Sequence, residues 1–199
     1  MLASSVWLWC NIMYPLDASS QQRMTLSKNS LNQIKKEMHT EDFTTTILVD
    51  QTPKEVFDAI NNVRGWWSEE IEGSTDKLNA EFDYHYEDVH RSKMKIVEVI
   101  PNKKVVWLVL DNYFKFTKDE TEWKGTKITF EIAERDGKTA LRFTHVGLVP
   151  EYECYEVCRE GWSTYINNSL HSLITTGKGK PNASGKPRTE SEKGLTSGK

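Results

Sequence analysis

The side chains with the most versatile chemistry fall in one stretch of this sequence, "FTHVGLVPEYECYEVCREGWSTYINNSL", from Phe143 to Leu170. It holds a histidine, two cysteines four positions apart, and a serine beside a tryptophan. Three chemistries use such groups: thiolate metal binding, nucleophilic attack, and acid–base catalysis by imidazole. Cys154 and Cys158 point the same way from one helix, but a closed zinc site needs four ligands in a tetrahedral array. The nearest further donors are His145 and His171, and His171 lies 13 residues past Cys158, more than three helical turns away. No metal is expected, and the thiols read as small hydrophobes. Ser163 in "GWSTY" lacks the second glycine of a nucleophile elbow and falls inside a helix. It is not expected to be catalytic.

His145 shares strand parity with Leu141 and Phe143 in "TALRFTHV", so it faces the core side. In that position it reads first as a hydrogen-bonded core residue. The sharper alternative is an acid, a base or a polar anchor on a cavity wall, which would make the chain a cyclase- or hydrolase-like enzyme. The sequence offers that histidine no convincing catalytic partner. A second polar row, Asp83, His85 and Glu87 with Asp88 and His90 just beyond, reads as the solvated side of an amphipathic strand.

The elements that position these residues follow from periodicity. "FTTTILVD" (Phe43–Asp50) is a β-branched strand. In "TPKEVFDAINNV", Thr52 is a helix N-cap, Pro53 takes the first helical position and Glu55 completes a capping box. Val56, Phe57 and Ile60 form its apolar face. Strand candidates follow in "EFDYHYEDV", "SKMKIVEVI", "VVWLVLDNY", "TKITFEIAE" and "TALRFTHV", with a hairpin signal at Asp136-Gly137. From Pro150 to Thr176 the spacing predicts one long helix with Cys154, Val157, Cys158, Trp162, Tyr165, Ile166, Leu170 and Leu173 on its buried stripe. Glu151, Glu153 and Glu156 would serve its N-terminal dipole, and Gly177 would cap its end. The fold class is therefore α+β: a curved antiparallel sheet of about six strands wrapped around a long C-terminal helix, with a short helical segment after the first strand.

The chain has 199 residues, enough for one domain with tails. Residues 1–40 read as a peripheral extension, 41–176 as the domain and 177–199 as a disordered basic tail. That tail holds six Lys or Arg and two Asp or Glu, a charge of +4, so the whole-chain charge of −3 leaves −7 on the rest. A body so acidic is a poor general binder of nucleic acid. The apolar run Val6–Tyr14 is shorter than the roughly 20 residues needed to cross a bilayer, so no membrane partner is expected. It resembles an export signal only loosely, and Met24 and Met38 are alternative starts to Met1. Three cysteines without a disulfide framework favour a reducing compartment, hence a cytoplasmic location.

The order of elements, with "TPKEVFDAI", Trp66–Trp67, "MKIVEVIPNKKVVWLV", "LRFTHVGL" and "GWSTYINNSLHSLI", resembles the START-like (SRPBCC) helix-grip superfamily over roughly residues 42–176. Within it the chain resembles single-domain proteins related to the activator of heat-shock protein 90 ATPase. The resemblance implies a hydrophobic cavity between sheet and helix, or alternatively a chaperone as partner and a place in the stress response. Seven tryptophans are many for this length, and large rings serve either a core or a lined cavity. The candidate ligand-binding residues are Trp66, Trp67, Tyr84, Tyr86, Trp107, Phe130, Phe143, His145, Trp162 and Tyr165, with the facing of Trp107 left open because its strand is apolar on both parities. Gly161 would either permit tight packing or leave room beside Trp162. The expected function is non-catalytic binding of a small hydrophobic or amphipathic molecule, with no catalytic residue and no cofactor.

Overall fold

The structure is a computed structural model, and it describes residues 41–183 and 189–196. The expectations for residues 1–40, including the apolar run and the alternative starts, lie outside the described residues. Strand β1 (Phe43–Val49) leads into helix α1 (Pro53–Asn61) and the single turn α2 (Val63–Trp66). Strands β2 (Glu72–Gly73), β3 (Glu81–Tyr86), β4 (His90–Ile100), β5 (Lys104–Phe114), β6 (Lys127–Arg135) and β7 (Lys138–Val146) follow. The C-terminal helix runs as α3 (Tyr155–Thr164), a π-helical turn (Tyr165–Leu170) and α4 (His171–Thr176), and α5 (Glu190–Thr196) comes last.

The strands form one antiparallel sheet in the order β1-β7-β6-β5-β4-β3-β2. Seven strands replace the six expected, because the two-residue β2 adds an edge to β3 through Glu72↔Asp83. Alternation decides which face is buried: Phe82, Tyr84 and Tyr86 turn inward from β3, and Ile128, Phe130 and Ile132 from β6. Two register shifts between β4 and β5, at Lys93/Met94 and Ile96/Glu98, bend the sheet, as bulges do. The β6–β7 hairpin closes through Asp136 (φ 52) and Gly137 (φ 75), the paired positive angles of a primed turn.

Helix α1 starts as its sequence predicts. The Thr52 amide donates to Glu55 Oε2 at 2.8 Å and the Glu55 amide to Thr52 Oγ1 at 3.3 Å. Val56, Ala59 and Ile60 are buried, whereas Phe57 packs only partly on the core. The C-terminal helix departs from expectation at both ends of its stripe. It begins at Tyr155 and not near Pro150, because residues up to Cys154 form turns. Its first amides are met by Glu122 from the β5–β6 loop, which accepts from the Glu153 amide at 2.7 Å and the Cys154 amide at 2.9 Å. Glu153 itself turns away to accept from the Lys118 amide at 2.6 Å. The π-helical turn inserts extra backbone per turn, and beyond it Ile174 is buried where Leu173 is only partly so. Gly177, at φ 74, closes the helix through its amide to the Leu173 carbonyl at 3.0 Å.

The described part of the tail meets the domain through backbone hydrogen bonds. Asn182 donates its amide to the Trp67 carbonyl at 2.8 Å and accepts from the Glu69 amide at 3.0 Å. Helix α5 has its own capping box: the Thr189 amide donates to Glu192 Oε2 and the Glu192 amide to Thr189 Oγ1, both at 3.0 Å. Backbone pairing to residues 67–69 and the burial of Asn182 and Thr189 attach these residues to the domain.

Candidate functional site

Between β3, β4 and the C-terminal helix lies a partly open aromatic cavity. Trp67, Tyr84, Tyr86, Trp123, Trp162 and Tyr165 supply most of its wall, and Phe114, Phe116, Val89 and Val157 the remainder of its apolar surface. The volume open to the centre of a water-sized sphere is about 50 Å³. At about 10–15 Å³ per water on that measure, the space holds roughly four waters. Gly161 stands at its edge, and a Cβ built there would meet nothing within 4 Å. Of the two readings of this glycine, room is therefore the one the geometry supports.

The rings lock one another in place. Trp67 stacks on Tyr84 at 4.4 Å between centroids and meets Trp162 at 5.0 Å. Trp123 stacks on Trp162 at 5.7 Å with an interplanar angle of 14°. Contacts of this kind add roughly 0.5–1.5 kcal/mol each beyond area burial. The polar features of the wall are few. Tyr165 donates its hydroxyl to Glu192 Oε1 at 3.1 Å, so the α5 carboxylate forms part of the cavity lining. Burial holds both the Tyr84 and Tyr165 phenols well above their ordinary range, with Glu192 adding to it for Tyr84 and Tyr84 followed by Glu192 for Tyr165, so both stay protonated. His90 also faces the cavity, with Nε2 at 2.7 Å from Ser92 Oγ. Burial among rings lowers its pKa to about 3, so it is neutral at physiological pH.

Ten aromatic and histidine residues were expected to line a site, and the structure divides them. Trp67, Tyr84, Tyr86, Trp162 and Tyr165 meet at the cavity. Trp66, Trp107, Phe130 and Phe143 lie beyond it, fully buried in a packed cluster. Trp66 stacks on Trp107 at 6.3 Å, and Trp107 meets Phe130 at 4.8 Å. Trp107 thus faces inward, which settles the parity its apolar strand left open.

His145 sits under Trp162 with both ring nitrogens engaged. Trp162 Nε1 donates to Nδ1 at 3.0 Å, which places the imidazole hydrogen on Nε2, toward Thr126 Oγ1 at 2.8 Å. Thr126 passes its own hydrogen to the Trp123 carbonyl at 2.6 Å. Burial, and secondarily the neighbouring His90, lower the His145 pKa to about 3. A neutral imidazole with both nitrogens satisfied and no solvent contact fixes Trp162 and Trp123. It has no geometry for proton exchange with a substrate.

Several wall residues escaped the sequence reading of the site, among them His90, Glu192 and Leu195. His90 was grouped with the outward polar row, yet His90, Ser92, Met94 and Ile96 alternate inward along β4. Starting that strand two residues earlier would have found it. Trp123, one of the tryptophans the sequence offered as core or cavity rings, sits in the β5–β6 loop, and its amide donates to Asn112 Oδ1 at 3.0 Å. Glu192 and Leu195 belong to the tail. Asp83, by contrast, does lie on the outer face, bonded to Lys93 at 3.2 Å. Cys154 and Cys158 are buried free thiols, and burial pushes the Cys158 thiol well up. Among the described residues, no cluster of three or more His, Cys, Asp or Glu has a metal-holding arrangement. No helix there is long and apolar enough to cross a membrane.

Residues 50–175 match the family described as Activator of Hsp90 ATPase homolog 1-like protein. No curated protein matches the chain in sequence. Solved structures share the fold at low identity. One is the Aha1 dimer from Colwellia psychrerythraea: 22% identity, TM-score 0.56, covering 70% of this chain and 99% of that one. Another is a Mesorhizobium loti protein, at 14% identity and TM-score 0.54, covering 67% of this chain and 96% of that one. A third is DynU16, a putative protein of the dynemicin biosynthetic locus, at 15% identity and TM-score 0.52; the match covers 70% of this chain but 49% of that one.

Proposed function

The chain belongs to the family of Activator of Hsp90 ATPase homolog 1-like proteins, and on that premise we propose that it binds one small, largely apolar molecule in its aromatic cavity without transforming it. The observation that carries this reading is the unfilled space beside Gly161, walled by Trp67, Tyr84, Tyr86, Trp162 and Tyr165. A chain that only needed a core would gain about 1 kcal/mol from alanine in place of a mid-helix glycine. Apolar walls with a few polar groups at one end are what a small amphipathic ligand requires. Neutral, fully bonded His145 supports binding over turnover. Two free buried thiols suit a reducing compartment, and the cytoplasm is the location we assign.

Native mass spectrometry of the purified chain, before and after solvent extraction, tests the proposal. An adduct of small mass that extraction removes, and that Gly161→Leu prevents, is the expected result. An adduct retained equally by Gly161→Leu would place the ligand elsewhere and overturn the reading.

A second reading, a chaperone-associated interaction module, draws on the family name and on one surface. The outer face near the β4–β5 turn carries exposed Ile100 at the end of β4, with Lys103, Lys104, Arg135 and Arg142 around a shallow groove that extends over β6 and β7. Stimulation of a heat-shock protein 90 ATPase by the purified chain, lost on reversing Lys103 and Arg142 to Glu, would support it. Absence of physical binding at high micromolar concentration would remove it.

A further inference from the structure

The outer face of the sheet carries an apolar trough with cations around it, and strand register defines its shape. Ala133 and Ala140 sit directly opposite each other on β6 and β7, with Leu48 next in register on β1. These small side chains form the floor. Leu48 stands 47% exposed at one end, and Ile100, 41% exposed, at the far corner beside the β4–β5 turn. One row along, Arg142 and Glu131 are paired in register, followed by Lys104 on β5. Arg135 flanks the opposite side, and Lys103 closes the end at the turn, where its carbonyl accepts from the Ile132 amide at 2.8 Å.

The lining holds four cations and one carboxylate, Glu131, on a chain whose net charge is −3. Lys104 has a partner in Glu98 at 3.0 Å, and Arg135 has one in Asp136 at 3.7 Å. Among the described residues, Lys103 and Arg142 form no ion pair.

We propose that this trough docks an amphipathic α-helix of a partner protein, with aliphatic residues along its apolar stripe and carboxylates on both flanks. The inference takes its surface from the second reading above and gives the partner a chemistry, without requiring that the partner be a chaperone.

Geometry selects a helix over an extended segment. From β1 across β7 and β6 to the turn there are three strand spacings, about 14 Å in all. That is the length of about ten helical residues. A strand offers side chains to two faces only, so with its apolar face in the trough its carboxylates would point away into water. A helix carries polar groups on both flanks of its apolar stripe, where Arg142 and Arg135 stand on either side of the floor. The alanines let a helix approach the sheet closely, and Leu48 and Ile100 would be covered at the two ends. A basic helix would instead set like charges against Lys103 and Arg142, a costly arrangement.

Fluorescence polarisation with the full chain tests this, using a labelled, lactam-stapled helix of two heptads with leucine on one face and glutamate on both flanks. It should bind at least about tenfold more tightly than the same helix with lysine in place of glutamate, and the preference should shrink as salt is raised. Arg142→Glu should weaken binding about tenfold. Ala133→Arg adds a cation but fills the trough, so it should abolish binding while the chain stays folded, since Ala133 is exposed. Equal binding of the glutamate and lysine helices, or an unaltered affinity in Arg142→Glu, overturns the proposal. Binding retained in Ala133→Arg overturns it too, because the attraction would then be diffuse. Tighter binding of an unstapled peptide with leucine and glutamate alternating would assign an extended partner. A concentration-dependent dimer in sedimentation, lost in Ala133→Arg, would assign a second copy of the chain. Either result overturns the helix. Stimulation of a heat-shock protein 90 ATPase that is lost in Arg142→Glu, with no binding of the glutamate helix, overturns it and leaves the second reading standing.

Discussion

At one end of the space between sheet and helix, Trp66, Trp107, Phe130 and Phe143 meet ring against ring and leave nothing open. At the other, Trp67, Tyr84, Trp162 and Tyr165 are just as aromatic and as deeply buried, yet surround a cavity. Ring content does not separate the two ends. What separates them is a glycine with empty space where a side chain would go, and a set of phenols and a carboxylate that a dry core would not place there. Aromatic richness in a sequence thus states that rings will be buried, and the small and polar residues among them state whether they pack on one another or on something else.

The comparison can be broken most sharply at the filled end. Phe130→Ala should cost roughly 3–5 kcal/mol of stability, as large aromatic-to-alanine changes in packed cores do, read from the shift of a denaturant midpoint. Binding of a cavity ligand by the molecules that remain folded should change little. Equal effects on both would mean that the two ends are one site.

His145→Phe sits on the boundary and has two signatures. It strands the Trp162 indole N–H, at a cost of about 1–3 kcal/mol for a buried donor left unmatched, while ligand affinity should stay within about twofold. It also changes the response to acid. His90 and His145 both have folded-state pKa values near 3 against an ordinary 6.5, so the unfolded chain takes up protons first. Their contribution to stability is therefore complete above pH 6.5 and is lost as pH falls through the window from about 6.5 toward 3. Each buried imidazole contributes a slope of up to about 1.4 kcal/mol per pH unit. Denaturation midpoints measured across that window should fall less steeply in His145→Phe; an unchanged slope would contradict the buried neutral assignment.

At the open end, Gly161→Leu should fill the cavity and abolish ligand binding, with a stability change of about 1 kcal/mol or less in either direction. Gly161→Ala is the smallest of these changes. It should stabilise by up to about 1 kcal/mol through helix propensity, since its Cβ meets nothing within 4 Å. A loss of several kcal/mol from either substitution would show that the end is not open.

Much of the fold was legible because local rules and burial agree. The Thr52–Glu55 box, the Asp136–Gly137 turn, the inward parity of Tyr84 and Tyr86, and the cap at Gly177 are each fixed by a few neighbouring residues. The misreadings share a different cause, namely partners distant in sequence. Glu122 meets the helix start from the β5–β6 loop, so nearby glutamates gave a false N-terminus. The π-helical turn shifts burial from Leu173 to Ile174, and strict helical spacing does not anticipate such a turn. The backbone bonds from Asn182 to residues 67 and 69 are likewise contacts that composition does not announce. The site followed the same division. Its strand and helix rings were found from periodicity, whereas Glu192 from the tail carries no periodic signal. His145 was read in both of its senses, and the structure gives it two buried hydrogen bonds, to Thr126 and Trp162.

The most direct test of the open end is a proton–nitrogen NMR titration with benzyl alcohol, following the indole N–H resonances. The account predicts that Trp67, Trp123 and Trp162 shift together and saturably, while Trp66 and Trp107 stay fixed and Gly161→Leu abolishes the response. Equal movement of Trp66 and Trp107, or shifts confined to the outer face of the sheet, would contradict it.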